Sequence, residues 1–305
     1  FSIILLTNDS MIVARDRNGL RPLSLGKLGD AYVVASETCA FDLIGAEYIR
    51  EVEPGELLII SNNGLEVDSF MEADKRTMCA MEYVYFARPD SNIDGINIHM
   101  ARKRMGKELA RECAAIEADI VTGVPDSSIS AAIGFSEESG IPYELGLIKN
   151  RYVGRTFIQP TQELRERGVK MKLSPVVQVV KGKRVVMVDD SIVRGTTSKR
   201  IVRMLKEAGA TEVHVVISSP PMTDPCFYGI DTSTHEELIA SNHSVEDIRL
   251  AIEADSLTFL SVDGLIRATE RPFEDENAGL CMACFTGEYP TEIFPDTVLP
   301  HEKEC

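Results

Sequence analysis

The chain has 305 residues, 44% apolar and 26% charged, which is ordinary globular composition and length enough for about two domains. Disorder and collagen-like repeats are excluded, no apolar run approaches the roughly 20 residues that span a bilayer, and no signal segment opens the chain, so a cytoplasmic protein without a membrane partner is expected. The formal charge of −16 opposes broad attraction to polyanions, so nucleic acid is not an expected partner.

In chain order, the short apolar runs at 2–7, 11–14, 31–35 and 56–60 are separated by the turn signals Asn18-Gly19 and Asn62-Asn63-Gly64. They predict an antiparallel sheet with hairpins, plus one short helix over 39–45. From residue 75 the rhythm changes to strand 82–86, helix 98–115, strand 120–123, helix 127–139 and strand 143–148. After a long polar loop it continues with strand 184–188, helix 197–208 and strand 212–218. Such alternation predicts a parallel sheet covered by helices. The change divides the chain into 1–74 and 75–305. The opening Phe1, which passes at once into a strand-like run, reads as the start of a fragment whose natural N-terminus lies upstream.

The negative average hides a basic island. Residues 149–206 carry fifteen Lys or Arg against four acidic residues, while 230–305 carry seventeen acidic residues against four basic ones. A small, highly charged anion is the natural ligand of such an island, although a solvated basic helix face would give the same count.

Inside it lies Arg184-Val-Val-Met-Val-Asp189-Asp190-Ser191-Ile-Val-Arg194-Gly195-Thr196-Thr197-Ser198. An apolar run suited to burial on both faces ends in two carboxylates, and a glycine and hydroxyl-rich turn leads into a helix. Ligands of open α/β sheets bind at the carboxyl ends of the strands. Gly195 admits close backbone approach, and the helix N-terminus with the Thr196, Thr197 and Ser198 hydroxyls makes a cradle for phosphate. Two carboxylates beside that cradle suit a ligand with hydroxyls and a bound cation, as a phosphorylated sugar with Mg2+ would supply. Helix capping by Asp190 or Ser191 would explain single residues but not the whole arrangement. A Walker A lysine and a Rossmann G-x-G-x-x-G are both absent.

This arrangement resembles the phosphoribosyl pyrophosphate (PRPP) signature of type I phosphoribosyltransferases. Gly123-Val-Pro-Asp126-Ser127-Ser128 suits a pyrophosphate turn, and Lys149-Asn150-Arg151-Tyr152-Val-Gly-Arg155-Thr156-Phe157 begins a basic loop that continues with Arg165, Arg167, Lys170 and Lys172. With Glu82-Tyr-Val-Tyr-Phe-Ala-Arg-Pro-Asp-Ser91, Asp16-Arg-Asn-Gly-Leu-Arg-Pro22 and the Cys281 to Tyr289 segment, the chain is similar throughout to the glutamine PRPP amidotransferase family. That resemblance implies an α/β type I phosphoribosyltransferase fold, preceded by the C-terminal part of an N-terminal-nucleophile glutaminase α+β domain. It implies transfer of ammonia, from glutamine in the complete enzyme, to PRPP in purine synthesis. The implied catalytic residues are Asp189, Asp190, Arg151 and Lys172. PRPP contacts fall on Asp126, Ser127, Ser128, Lys149, Arg151, Asp189, Asp190, Ser191, Arg194, Gly195, Thr196, Thr197 and Ser198, with Mg2+ near Ser127, Asp189 and Asp190. A homotetramer inhibited by purine nucleotides is implied as well.

Seven cysteines, an odd number, argue against a secreted disulfide framework. Cys281-Met-Ala-Cys284 alone could be a metal half-site, a redox pair or two buried thiols, and four thiolates with Cys79 and Cys226 would suit Zn2+ or an iron-sulfur cluster equally. The resemblance chooses a [4Fe-4S] cluster on Cys79, Cys226, Cys281 and Cys284, as in one branch of the family. Cys39, Cys113 and Cys305 match no ligand position, and the five histidines show no metal or nucleophile spacing. Two competing readings are a non-catalytic PRPP-binding regulator, for which no effector module is visible, and an iron-sulfur redox protein, which leaves the phosphate turn without a purpose.

Overall fold

A computed structural model of the protein describes residues 1–73, 75–113, 116–150, 173–232, 234–271 and 278–293. The first strands are β1 (Ser2–Leu6), β2 (Ser10–Arg15), β3 (Ser24–Leu28), β4 (Ala31–Ala35), β5 (Glu47–Glu51), β6 (Glu56–Ser61) and β7 (Gly64–Ser69), with helix α1 (Cys39–Ile44) after β4. They form two antiparallel sheets, ordered β1-β2-β6-β7 and β4-β3-β5, where the turn signals had suggested one. Strands β3, β5 and β7 mix charges into their apolar positions, so only pairing with a neighbour reveals them. The sheets meet through Val13 and Leu58 of one and Leu25 of the other, joined by Leu23 and Val52.

After β8 (Met78–Cys79), residues Glu82–Phe86 form a π-helical turn, closed by Ala87 N–H donating to the Glu82 carbonyl at 3.2 Å. The sequence suggested a strand here. Five apolar and aromatic residues do not separate a buried strand from a buried helical turn. Tertiary contacts favour the turn, because the buried Arg102 guanidinium donates to the Tyr83 and Ala87 carbonyls at 2.8 Å each.

The hairpin β9 (Asn92–Ile93) and β10 (Ile96–Asn97) leads into α2 (Ile98–Glu112), β11 (Ile120–Gly123) and α3 (Ile129–Ser139). Next come β12 (Leu147–Lys149), β13 (Leu173–Pro175), β14 (Arg184–Asp189), α4 (Thr196–Glu207), β15 (Glu212–Ile217), α5 (Val245–Ile252), β16 (Ser256–Phe259), α6 (Val262–Thr269) and β17 (Leu280–Cys281). Strands β11-β14-β15-β16 make the expected parallel sheet in that order. The strand expected at 143–148 does not join it fully. Tyr143 makes one parallel bridge to Val121, and β12 pairs instead with β13, antiparallel.

The alternation of side chains along β14 shows why both faces must be covered. Val186 and Val188 belong to the core under α2, α3 and α6, whereas Val185 and Met187 belong to the core under α4 and α5, and all four are inaccessible to solvent. The α2–α3 crossing is close enough to require glycine. A Cβ on Gly106 would lie 1.9 Å from the Ala131 carbonyl oxygen, and one on Gly134 would lie 1.8 Å from that of Lys103. Gly106→Ala or Gly134→Ala is therefore expected to force the helices apart and cost about 3 kcal/mol or slightly more, the upper range for overpacking. A urea midpoint equal to wild type in either variant would contradict this packing.

Candidate active site

The parallel sheet delivers the acidic pair to the carboxyl end of its second strand, β14, where the neighbouring chain segments supply hydroxyls. Ser127 Oγ donates to Asp190 Oδ1 at 2.6 Å and Ser191 Oγ to Asp190 Oδ2 at 2.7 Å. Ser128 Oγ lies 3.1 Å from Asp189 Oδ1 and 3.4 Å from Asp190 Oδ1, and the Asp190 N–H donates to Asp189 Oδ1 at 3.0 Å. Both carboxylates are less than a tenth exposed. Burial, followed by the charge of Asp190, raises the Asp189 carboxyl well above its ordinary range. Such a pair is stable as a double anion only with donors or a cation facing it.

The turn beyond the pair carries Gly195 in a left-handed conformation, φ +73°, as the N-cap of α4. A side chain there would also meet Ile239 Cδ1 at 3.1 Å. No side chain caps α4, so its first amides remain available to a ligand. Residues 189–198 all line a cavity of about 780 Å3, whose opposite wall is Met81, Tyr85, Phe86, Met222 and residues 229–232. A second cavity of about 400 Å3 shares Tyr85, Phe86 and Ser127 with the first and adds Arg102, Asp126 and Lys149. There Lys149 Nζ pairs with Asp126 at 2.5 Å.

Most of the residues singled out in the sequence thus converge, and two of them stand differently from the rest. Ser128, expected to touch PRPP, is wholly buried behind the acidic pair and orients the carboxylates. Arg194 lines the large cavity, but its guanidinium is turned outward in an ion pair with Glu237. Arg151, Arg155, Arg165, Arg167, Lys170 and Lys172 lie outside the described residues. Sequence reading gave no role to Tyr85, Phe86 or Arg102. Tyr85 and Phe86, at 49% and 37% exposure, sit on the π-helical turn, a form that gathers at functional sites, but neither property is a signal in the sequence. Arg102 on its helix gave none.

Cys79 and Cys281 stand in register on the parallel pair β8–β17. Cys284 follows in the short helix Ala283–Thr286, and its carbonyl accepts from the N–H groups of Thr223 and Asp224, which draws the Cys226 loop alongside. The Cys226 sulfur accepts from Tyr228 N–H at 3.3 Å. Burial pushes the Cys79 thiol up to about 12 and that of Cys281 to about 11, and it raises Cys284 too, with the neighbouring sulfurs adding to the effect at Cys284. Among the described residues no three His, Cys, Asp or Glu side chains are placed to hold a single ion. No helix among them is long and apolar enough to cross a membrane.

The strand ending in paired aspartates, the glycine N-cap and the hydroxyl-lined cavity all involve residues 93–224, which match the family described as phosphoribosyl transferase domain. Over its whole length the chain is 70% identical to the amidophosphoribosyltransferase of Bacillus subtilis (strain 168), and over 293 residues, 96% of the chain, it is 52% identical to that of Archaeoglobus fulgidus. A solved structure described as glutamine PRPP amidotransferase from B. subtilis complexed with ADP and GMP superposes with a TM-score of 0.92. That match covers 99% of this chain and 66% of the other, at 70% identity. Along its whole length the chain is thus similar to amidophosphoribosyltransferases, and residues 93–224 carry the phosphoribosyl transferase domain match. It spans 64% of the length of both the B. subtilis and the A. fulgidus relatives.

Proposed function

We propose that this protein transfers ammonia to C1 of PRPP, giving 5-phosphoribosylamine and pyrophosphate, with glutamine as the ammonia source in the complete enzyme. The observation that carries the proposal is the acidic pair and glycine-capped helix start facing one cavity. The α4 amides with Thr196, Thr197 and Ser198 hold the 5-phosphate, while Asp189 and Asp190 accept hydrogen bonds from the ribose hydroxyls. As the C1–O bond to pyrophosphate breaks, the ring becomes oxocarbenium-like and the carboxylates beneath it offset that positive charge. Ammonia attacks with its lone pair, forms the N–C1 bond and then gives up a proton to solvent. Lys149 and the basic residues 151–172 counter the charge gathering on the leaving pyrophosphate.

The oxygen donors Ser127, Asp189 and Asp190 suit a hard, partly hydrated cation such as Mg2+, which when bound would neutralise pyrophosphate charge. The relative described with ADP and GMP supports purine nucleotides as regulators of this chain too. The four gathered thiols suit a [4Fe-4S] cluster, the choice that the family resemblance implies, and by number they would suit one Zn2+ as well. It would tie the Cys226 loop and the Cys281-Cys284 segment to β8.

Two measurements test these proposals. PRPP with Mg2+ and concentrated ammonium at alkaline pH, where ammonia is unprotonated, should release pyrophosphate. A folded protein that binds PRPP yet releases none would favour a regulator. Anaerobically purified protein should be brown, with about four iron atoms per chain and matching acid-labile sulfide. Stoichiometric zinc without iron would replace the cluster by a zinc site on the same thiols.

A further inference from the structure

The wall shared by the two cavities, Tyr85 and Phe86, is held in place from two sides, by Arg102, which lines the second cavity, and by Glu37, Thr38 and Ser91, which line neither. Glu37, in the loop between β4 and α1, places Oε2 against the turn that follows that wall. The oxygen accepts from the Arg88 backbone N–H at 2.7 Å and from the buried Ser91 hydroxyl at 2.8 Å. Beside it Thr38 Oγ1 accepts from Asn92 N–H at 2.8 Å. On the other side of the same turn, the Ser91 carbonyl accepts from Ile98 N–H at 3.0 Å, which anchors the start of α2, and Arg102 on α2 grips the Tyr83 and Ala87 carbonyls. The cavity wall is thus clamped between a carboxylate of the antiparallel part and a guanidinium of the parallel part. Glu37 lines neither cavity, so its influence must pass through backbone.

We propose that Glu37 is a positioning residue for phosphoribosyl transfer: its carboxylate fixes the turn at 88–91 and so sets where Tyr85 and Phe86 stand over bound PRPP. This rests on the transfer reading above. Removing the carboxylate leaves the buried Ser91 hydroxyl without its acceptor and frees the turn to shift, and displacements of an ångström at a binding wall are costly. Gln keeps one side-chain oxygen with two lone pairs, enough to accept both hydrogen bonds.

Steady-state kinetics with ammonia as nucleophile and titration of PRPP with Mg2+ test this on the whole chain. Glu37→Ala is expected to raise KM and Kd for PRPP by about tenfold while kcat changes by less than about threefold, and Glu37→Gln should recover both to within about twofold of wild type. Ser91→Ala combined with Glu37→Ala should be no worse than Glu37→Ala alone, because both act through one turn. Unchanged KM and Kd in Glu37→Ala, failure of Glu37→Gln to recover them, or additive effects of the two alanines would each overturn the role of Glu37. Wild-type protein that binds PRPP without releasing pyrophosphate would overturn the transfer reading instead, with the Kd series still deciding whether Glu37 sets the wall. Wild-type protein that does not bind PRPP would overturn both.

Discussion

Asp189→Asn combined with Asp190→Asn is expected to lower pyrophosphate release by about 10² to 10⁴-fold. Charge-assisted hydrogen bonds to two ribose hydroxyls are worth about 1.5–3 kcal/mol each, and every 1.36 kcal/mol is tenfold in rate. The fold should survive. Both side chains end at hydroxyls and the cavity rather than in the apolar core, and Asn at 190 keeps one oxygen to accept from Ser127 or Ser191, while the other hydroxyl can turn to accept from Nδ2. The substitution also removes two neighbouring buried negative charges, whose mutual repulsion opposes folding. Pyrophosphate release and the urea unfolding midpoint measured on the same preparation separate the two effects. Turnover at the wild-type rate would defeat the assignment of the pair, and a large fall in midpoint would show it to be structural.

The largest expected loss of stability follows from Asp94→Ala. Asp94 accepts from Arg76 Nη1 at 2.6 Å and faces Arg271 Nη1 at 2.8 Å, and the Arg271 side chain is inaccessible to solvent. Arg271 in turn donates to the Tyr83 hydroxyl at 2.9 Å and to the Ala278 carbonyl at 2.7 Å, so one carboxylate joins Arg76, the π-helical turn and the residues just before β17. Removing one member of a buried ion pair costs about 3–5 kcal/mol because charge stays behind in a poor solvent. Alanine at φ +50° adds strain that Asp tolerates better. Asp94→Asn should cost less, since it keeps an acceptor and suits that backbone. A loss below about 1 kcal/mol for the alanine variant would remove Asp94 from the centre of this network.

The same region predicts a pH dependence. Burial raises the Glu51 carboxyl to about 7, with Arg15 and the Ser24 hydroxyl opposing the shift. A carboxyl whose folded pKa lies above its unfolded value favours folding when protonated, so its contribution falls as pH rises from the ordinary carboxylate range toward 7. Glu51→Gln should therefore flatten the stability profile between about pH 4.5 and 7 and gain relative to wild type above it. An unchanged profile would show that Glu51 is ionised at no cost.

The sequence by itself determined what local chemistry encodes. Within fifteen residues, 184–198, an apolar run, two aspartates, a glycine and four hydroxyl residues specify a buried strand, a turn and a helix start, and these form as expected because each preference is satisfied by near neighbours. The strand Ile120–Gly123 was legible for the same reason. Later elements were overlooked although a signal existed: Ser244 and Asp247 form a capping box at the start of α5. Only the tertiary structure decided that Glu82–Phe86 is a π-helical turn, that the first strands make two sheets, that Ser128 stands behind the aspartates, and that Arg194 turns toward Glu237. Those outcomes rest on partners between about 20 and 190 positions away, such as Arg102 for Tyr83, Glu37 for Ser91 and Arg271 for Tyr83. No periodicity records such pairings, because hydrogen bonds and ion pairs of that span exist only once the chain has closed around them.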